Sequence, residues 1–386
     1  MKKNPKIIYD LFPENSRVLL TGSGKEFVQR IGEDVIRNAV LGVLKGENLR
    51  TQTEYLTRSR ISQINTALIV LYLHGLMTID EFSENLSTYA SDQLRHAKKT
   101  DNAAIWPAQW FLGLTGKSVQ NVLKSDHDAL TDYISSFENT LQSSIEKSES
   151  EFGKLKATMG FIENQKTGQM VELSWKEVLQ LTTAIGAQTL TIRGSDKSLY
   201  GKLFEKLILG SVLSILGFTR TEPPSNNPNI MKKERLFWLS DSSDNRESDA
   251  TLLYKAWKMV RFDIGFIGPG NSEISKDKLS RFSAQQNIQG QKTYSKTFII
   301  VDRLPTTGKT EAAANAIGAE IIQMSMKYWP KELAFKLHKT TGIDYPIMHL
   351  PDSEISNYLE SELSKLNILD FIGNLKLTPT SNSEDC

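Results

Sequence analysis

The period of the hydrophobic residues changes several times between Ser195 and Met326. A helical period gives way to three short alternating segments, and each later apolar segment is preceded by a stretch typical of a helix. In chain order the segments are GKLFEKLILGSVLSILGF, ERLFWLS, SDATLLY, VRFDIGFIG, SKDKLSRF, TFIIVDRL, EAAANAIGA and EIIQMSM. This order predicts an α/β fold with a mixed sheet that is flanked by helices.

The rest of the chain differs in character from this region. Apolar residues recur at helical spacing in FVQRIGEDVIRNAVLGVL and in RISQINTALIVLYLHGL. Ser or Thr followed three residues later by Glu, at Thr78 and Glu81 and at Ser174 and Glu177, predicts two helix starts. A chain of 386 residues exceeds one ordinary core. We therefore expect a mainly helical region at 1–190, for DNA recognition or dimerisation, and a sheet domain at 191–386.

The composition excludes several classes of protein. The 46 basic residues nearly balance the 45 acidic residues, so only local positive charge is available for binding nucleic acid. The single cysteine, Cys386, permits neither an intrachain disulfide nor a cysteine zinc site, which fits a cytoplasmic protein. The start of the chain has no signal-peptide pattern. The apolar run 66–77 is too short to span a bilayer and predicts a core helix, so we expect no membrane association.

Two carboxylates in the predicted sheet point to metal chemistry. Asp249 begins an apolar strand, and Asp263 interrupts the next strand, where a buried charge is costly without a partner. An antiparallel turn between the two strands brings these side chains together. A bound cation would remove their repulsion, and Mg²⁺ prefers an all-oxygen site. Glu205, on the preceding helix, is the third predicted ligand.

These residues resemble those of a known family. An acid on a helix, an Asp at a strand entry and an acid on the next strand resemble the PD-(D/E)XK nuclease core. Four segments are similar in sequence to segments of the CfrBI-like type II restriction endonucleases. They are SDATLLY, RFDIGFIGPGNSEISKDKLSRF, IIVDRL and AEIIQMSMKYW. The resemblance covers 192–329. It implies that Asp249 and Asp263 are the two catalytic acids and that Glu205 is the helix acid.

The chain departs from the family pattern at the lysine, since Gly265 stands two residues after Asp263. Lys278 is the catalytic lysine that we predict, and Lys276 and Lys255 are the other candidates. A second registration pairs Asp263 with Glu273 and ranks lower, because Glu273 falls in a predicted loop. Ser248 also replaces the proline that usually precedes the first acid.

Each acid also has a purely structural interpretation. Asp249 begins a strand after a turn, where Asp is common. Asp263 has a salt bridge to Arg261 or Arg303 as a rival role, and Glu205 fits a solvated helix charge.

Basic side chains interleaved with these segments are the predicted DNA contacts. Arginine with Gln and Asn reads base edges, which makes LRTQTEYLTRSRISQIN a candidate recognition element, with a solvated helix face as the alternative. Motifs for other chemistry fail: TGSGKEF and PTTGKT lack P-loop positions, so no nucleotide cofactor is expected, and the five histidines lack zinc spacing. The predicted DNA-binding residues are Arg58, Arg60, Arg193, Lys197, Lys276, Arg303 and Lys309.

The resemblance and the acids together predict a Mg²⁺-dependent type II restriction endonuclease that cuts double-stranded DNA as a homodimer. Two alternatives remain. One is a sequence-specific DNA-binding protein with an inactive nuclease-like core, and the other is a structural protein in which the acids only form salt bridges.

Overall fold

The described part of the chain divides into two compact units. The structure is a computed structural model that describes residues 6–98, 100–124, 127–161, 168–224, 228–240, 248–265, 294–303, 318–373 and 375. Within it, 6–27 and 57–197 form the first unit, and 28–56 and 198–375 form the second. The domain boundary at residue 190 stays a prediction.

Helices dominate the chain, and short strands lie mainly in its second half. The helices are α1 (Ile7–Leu11), α2 (Glu14–Thr21), α3 (Gly24–Ile31), α4 (Glu33–Leu44), α5 (Leu49–Thr78), α6 (Phe82–His96), α7 (Asn102–Phe111), α8 (Gly116–Lys124), α9 (His127–Phe152), α10 (Trp175–Ile215), α11 (Trp329–Thr341) and α12 (Asp352–Ser364). The strands are β1 (Ala157–Gly160), β2 (Met170–Leu173), β3 (Thr219–Arg220), β4 (Leu236–Leu239), β5 (Ala250–Lys255), β6 (Lys258–Gly265), β7 (Tyr294–Val301) and β8 (Glu320–Gln323). Short 3₁₀ turns lie at Pro228–Lys232, Pro346–Met348 and Ile368–Phe371.

In the described part of the first unit, helices predominate, and β1 and β2 form an antiparallel pair. Its core includes the apolar run of α5, whose Leu68 and Tyr72 are buried, as predicted for a core helix. The Tyr72 hydroxyl donates to Gln180 Oε1 at 2.6 Å, which ties α5 to α10. By length and composition alone, α5 is also apolar enough to cross a membrane, a test that buried core helices pass as well.

One of the two predicted helix starts is confirmed and the other is wrong. The Ser174 N–H donates to Glu177 Oε2 at 2.8 Å, and the Ser174 hydroxyl accepts from the Lys176 N–H at 3.2 Å, where α10 begins. Thr78 instead ends α5, and its hydroxyl donates to the carbonyl of His74 at 2.6 Å. A hydroxyl that bonds back to the carbonyl four residues earlier belongs to the end of a helix rather than to an N-cap.

The second unit is built on a six-stranded mixed sheet in the order β3-β4-β5-β6-β7-β8. Strands β4, β5 and β6 form an antiparallel meander, while β6, β7 and β8 run parallel, as does the pair β3 and β4. The predicted fold class, a mixed sheet flanked by helices with a helical N-terminal region, is confirmed.

Two details of the predicted sheet domain change. The helix that carries Glu205 extends over 41 residues as α10, much further than its apolar segment indicated. The stretch 219–230, predicted as a loop, opens with β3, because Thr219 and Arg220 pair with Leu236 and Phe237. The predicted helices at SKDKLSRF and EAAANAIGA lie outside the described residues.

Candidate active site

Asp249 and Asp263 lie side by side on neighbouring antiparallel strands. Ala250 pairs with Phe262, so the same register places Asp249, just before β5, opposite Asp263 on β6. The Asp249 carboxylate accepts a hydrogen bond from the Ile264 N–H at 2.8 Å, which holds Oδ2 beside the residue that follows Asp263. Both aspartates are half-buried. The juxtaposition predicted from the strand pattern is present.

The backbone around Asp249 is held by the end of β4. The Ser240 N–H donates to the Asp249 carbonyl at 3.1 Å, and the Ser240 hydroxyl donates to the Ser248 carbonyl. The buried Ser248 hydroxyl lies 3.2 Å from that of Thr251. These contacts hold the backbone at Ser248 and Asp249, just before β5. The backbone therefore helps to set the position of the Asp249 carboxylate.

The acids belong to the polar end of one sheet face. Thr251 pairs with Arg261, and because side chains alternate along a strand, Arg261 and Asp263 point to the same face of β6. Towards the β5–β6 turn this face becomes apolar, where a cluster of Ile230, Met231, Trp238, Leu253 and Met259 forms. The two aspartates and Arg261 therefore lie at the end of this face that is nearest the carboxyl end of β6.

Glu205 lies on α10, and its role as a third ligand stays a prediction, while Gly210 of the same helix packs towards the other face of the sheet. An added Cβ at Gly210 of α10 would lie 2.4 Å from Phe371 Cγ, and the Phe371 ring lies 6.5 Å from that of Phe237. Phe237 pairs with Leu252, and Leu252 with Val260, which marks the sheet face opposite to Asp263. Helix α10 thus packs against the other side of the sheet. Among the described residues, no three His, Cys, Asp or Glu side chains form a group that could hold a metal ion.

The two aspartates supply carboxylate oxygens, the type of ligand that Mg²⁺ takes in proteins. Mg²⁺ prefers oxygen ligands, keeps several waters and is often bound through one or two carboxylates together with substrate phosphate. Two adjacent aspartates, one of them oriented by a backbone N–H, satisfy this description without a third protein ligand. The donor set therefore fits the cation.

The position of the lysine stays open. Lys276 and Lys278 lie outside the described residues, as does Glu273 of the second registration. Lys255 occupies the opposite end of β5 from Asp249, six residues along the chain, which corresponds to about 20 Å in an extended strand. That distance removes Lys255 from the candidates for a group acting at the aspartates.

A third acid near this edge of the sheet, Asp302, was missed. It follows β7, it is 8% exposed, and its N–H donates to the carbonyl of Gly265 at 3.2 Å. Burial raises the pKa of the Asp302 carboxyl, and the neighbouring Arg303 partly opposes that shift. The signal in the sequence was an acid that directly follows an apolar strand, in IIVDRL.

The predicted DNA-binding residues differ in their exposure to solvent. Arg58, Arg193 and Arg303 are exposed. Arg60 is fully buried, pairs with Asp196 and donates to the Leu19 carbonyl at 2.9 Å, all within the first unit. Its assignment as a DNA contact is corrected, because the guanidinium is occupied inside the protein. The side chain of Lys197, and Lys276 and Lys309, lie outside what the structure describes.

Comparisons with known proteins agree with one another. The family model of the CfrBI restriction endonuclease matches residues 33–309. The chain is 31% identical over 373 residues to the type II restriction enzyme CfrBI of Citrobacter freundii, covering 94% of this chain and 97% of that protein. No solved structure matches the chain. A family model that spans most of the chain and a relative similar over nearly its full length show that this chain belongs to the CfrBI restriction endonuclease family.

Proposed function

We propose that this protein is a type II restriction endonuclease that hydrolyses phosphodiester bonds of double-stranded DNA at a specific sequence. The observation that carries the proposal is the pairing of Asp249 with Asp263 in a chain of this family. The similar Citrobacter freundii protein is named a type II restriction enzyme, and the similarity extends across nearly the whole of both chains. The candidate site therefore lies within the stretch that the family model matches, residues 33–309.

In this proposal Asp249 and Asp263 hold Mg²⁺. When bound, the ion supplies a Lewis acid for the phosphodiester and lowers the pKa of the attacking water. The Ile264 N–H orients one oxygen of Asp249, and Ser240 restrains the backbone behind it. Arg261, on the same strand face as Asp263, adds positive charge next to the aspartates. The chain's own contribution is thus a prearranged pair of carboxylates beside a cation.

Glu205 and Lys278 take the remaining predicted roles. Glu205, on α10, is the third metal ligand in this proposal. Lys278 supplies the amine that Gly265 cannot, with Lys276 as its neighbour. We keep both roles as proposals. The single variants Glu205→Gln and Lys278→Met test them, and the loss of plasmid cleavage in each variant measures how much that residue contributes.

The setting of the enzyme follows from its substrate. A palindromic recognition site presents two equivalent strands, which a homodimer with twofold symmetry meets with two equivalent sites. Hydrolysis by metal and water needs no nucleotide cofactor. The cytoplasm, where the DNA is, is the compartment that we propose.

The second candidate is a sequence-specific DNA-binding protein with an inactive core. Gly265 in the lysine position favours it, because without an amine the aspartates bind metal but lack one expected catalytic group. This candidate predicts that the protein retards DNA in a gel in the presence of Mg²⁺ without producing fragments. The endonuclease produces discrete fragments from the same plasmid.

Asp263→Asn provides the direct test of the site. We expect this variant to lose plasmid cleavage in Mg²⁺ by at least about a hundredfold, because removing one charge from the pair weakens the metal site. Its affinity for DNA should stay within about tenfold of the wild type, because groove contacts are separable from metal chemistry.

Glu354→Gln is the matched control for this test, since it removes one exposed carboxylate from α12 of the same unit. It should cut at the wild-type rate. Cleavage by Asp263→Asn at the wild-type rate would rule out the proposed site.

A further inference from the structure

The carboxyl ends of the parallel strands form one continuous edge. Gly265 pairs with Val301, and Val301 pairs with Gln323, so β6, β7 and β8 end in line. Beyond the strands, the Asp302 N–H donates to Gly265 and the Ser325 N–H donates to Asp302, at 3.2 and 3.1 Å. The end of β6 that carries Asp263 is therefore linked, strand by strand, to the turn that follows β8.

That turn, at 326–328, packs closely against the segment that leads into α5. Gly46 has a φ of +94°, and an added Cβ there would lie 2.6 Å from the carbonyl oxygen of Met326. Only glycine permits this approach in the left-handed region. The Trp329 indole N–H, at the start of α11, donates to the Val43 carbonyl at 2.8 Å. The first turn of α5, which contains Arg50, thus begins a few residues after the contact between Gly46 and Met326.

Three exposed cations belong to the segments that end at this edge or are joined to it by these contacts. Arg303 follows β7, Lys327 lies in the turn after β8, and Arg50 lies at the start of α5, and all three are exposed. The ion pairs found in the described part of the chain include none of them. The nearby exposed Glu47 carboxylate accepts a hydrogen bond from the Gln52 amide at 2.7 Å.

Local geometry also constrains the turn that carries Lys327. Tyr328 has a φ of 59°, an uncommon conformation for a residue with a side chain. The Lys327 ammonium lies 5.0 Å from the centroid of the Tyr328 ring, and the Met326 side chain is 52% exposed. This turn therefore presents a lysine to solvent, and lysine is one of the side chains that contact DNA phosphates.

We propose that Arg303, Lys327 and Arg50 contact DNA phosphates and together form a surface that we call the edge surface. The edge surface holds the part of the DNA backbone that continues beyond the phosphodiester bond at the aspartate pair. The proposal rests on the proposed function and names which part of the chain holds the substrate beside the site. Contacts of this kind go to phosphates, so they set the affinity and the register of the duplex and carry no sequence information directly.

The test is the salt dependence of binding to a short DNA duplex of mixed sequence, with Ca²⁺ in place of Mg²⁺. The double variant Arg50→Ala/Lys327→Ala should lower the slope of log affinity against log salt by about 2, because each lost phosphate contact removes about 0.9. Lys327→Gln, which keeps most of the side-chain stem, should lower the slope by about half as much. Unchanged thermal unfolding would show that the variants fold.

Lys339→Ala is the matched control. Lys336 on α11 donates to the Ile321 carbonyl at 2.7 Å, so α11 runs back along β8, and the exposed Lys339 lies one turn further from the edge surface. This control should keep the wild-type slope. A wild-type slope in the double variant, while the wild-type protein cuts plasmid, would overturn the edge surface and leave the proposed function intact. A wild-type protein that neither binds the duplex nor cuts plasmid would overturn both.

Discussion

Arg60 shows how much a single side chain depends on a distant partner. Its guanidinium pairs with Asp196, 136 residues away, and it donates to the Leu19 carbonyl, so one side chain joins α5, α10 and the end of α2. The side chains of Arg60 and Asp196 are 1% and 3% exposed. A buried pair of this kind adds little stability compared with an apolar pair of equal volume, but removing one partner leaves a buried charge.

This pair leads to a stability prediction. Arg60→Met should lower the free energy of unfolding by about 3–5 kcal/mol, because Asp196 would keep its charge without the guanidinium. Urea unfolding followed by circular dichroism measures the loss. Arg50→Met, an exposed arginine on the same helix α5, is the control and should change the free energy of unfolding by less than about 0.5 kcal/mol.

A second variant separates charge from volume at this position. Arg60→Met/Asp196→Leu should recover most of the lost stability, since both charges are then gone from the core. Equal unfolding midpoints for Arg60→Met and the wild type would show that the pair is not buried in solution.

At the scale of elements, serine and glutamate side chains cap the starts of α10 and α3. At the start of α10, the Ser174 N–H and hydroxyl both donate to Glu177 Oε2, and the Ser174 hydroxyl accepts from the Lys176 N–H. At the start of α3, the Ser23 N–H donates to Glu26 Oε2 at 2.7 Å, and the Glu26 N–H donates to the Ser23 hydroxyl at 3.3 Å. These serine contacts lower the pKa of the Glu26 carboxyl. Gly24 and Lys25 of TGSGKEF, a segment that lacks the P-loop positions, therefore lie at the start of α3.

The Ser174 cap carries a pH-dependent prediction. Burial raises the pKa of Glu177, but hydrogen bonds from Ser174 outweigh it, and the pKa lies below its ordinary value. A lowered pKa stabilises the fold above the unfolded pKa, and this contribution disappears as the pH falls through the folded value. Ser174→Ala should therefore cost about 1 kcal/mol at pH 7 and less in acid.

The measurement is urea unfolding at neutral pH and in acid. Ser150→Ala, an exposed serine inside α9 without a cap contact among the described residues, is the control and should show no such pH dependence. A cost for Ser174→Ala that grows as the pH falls would contradict the assignment.

At the scale of the whole molecule, the proposed endonuclease must cut two strands with the candidate aspartate pair that each chain contributes. Each catalytic site handles one phosphodiester bond, and a duplex has two antiparallel strands. A twofold dimer places a second, identical pair on the other strand. In this proposal the six-stranded sheet carries the candidate site, and the homodimer supplies its duplicate.

Mixing wild-type protein with Asp263→Asn tests this arrangement. After the chains have been exchanged, mixed dimers hold one active site, so they should cut one strand and accumulate nicked circular plasmid. Agarose gels at successive times measure the nicked form. If mixing only slows the formation of linear plasmid, in proportion to the wild-type fraction, each chain acts alone and the dimer is contradicted.

Part of this protein was determined by its sequence alone. Alternation of apolar side chains along a strand has a period of two, so the strands around Asp249 and Asp263, and their meeting across an antiparallel turn, were readable from local pattern. The serine and glutamate start of α10 was readable for the same reason, because its partners lie three residues apart.

Tertiary structure decided the rest. Whether Arg60 faces water or Asp196, and on which side of the sheet the Glu205 helix packs, depends on contacts between residues far apart in the chain. The contact between Gly46 and Met326 is equally non-local. Local sequence sets which face of an element is apolar, whereas the choice of what covers that face is made only when the whole chain packs.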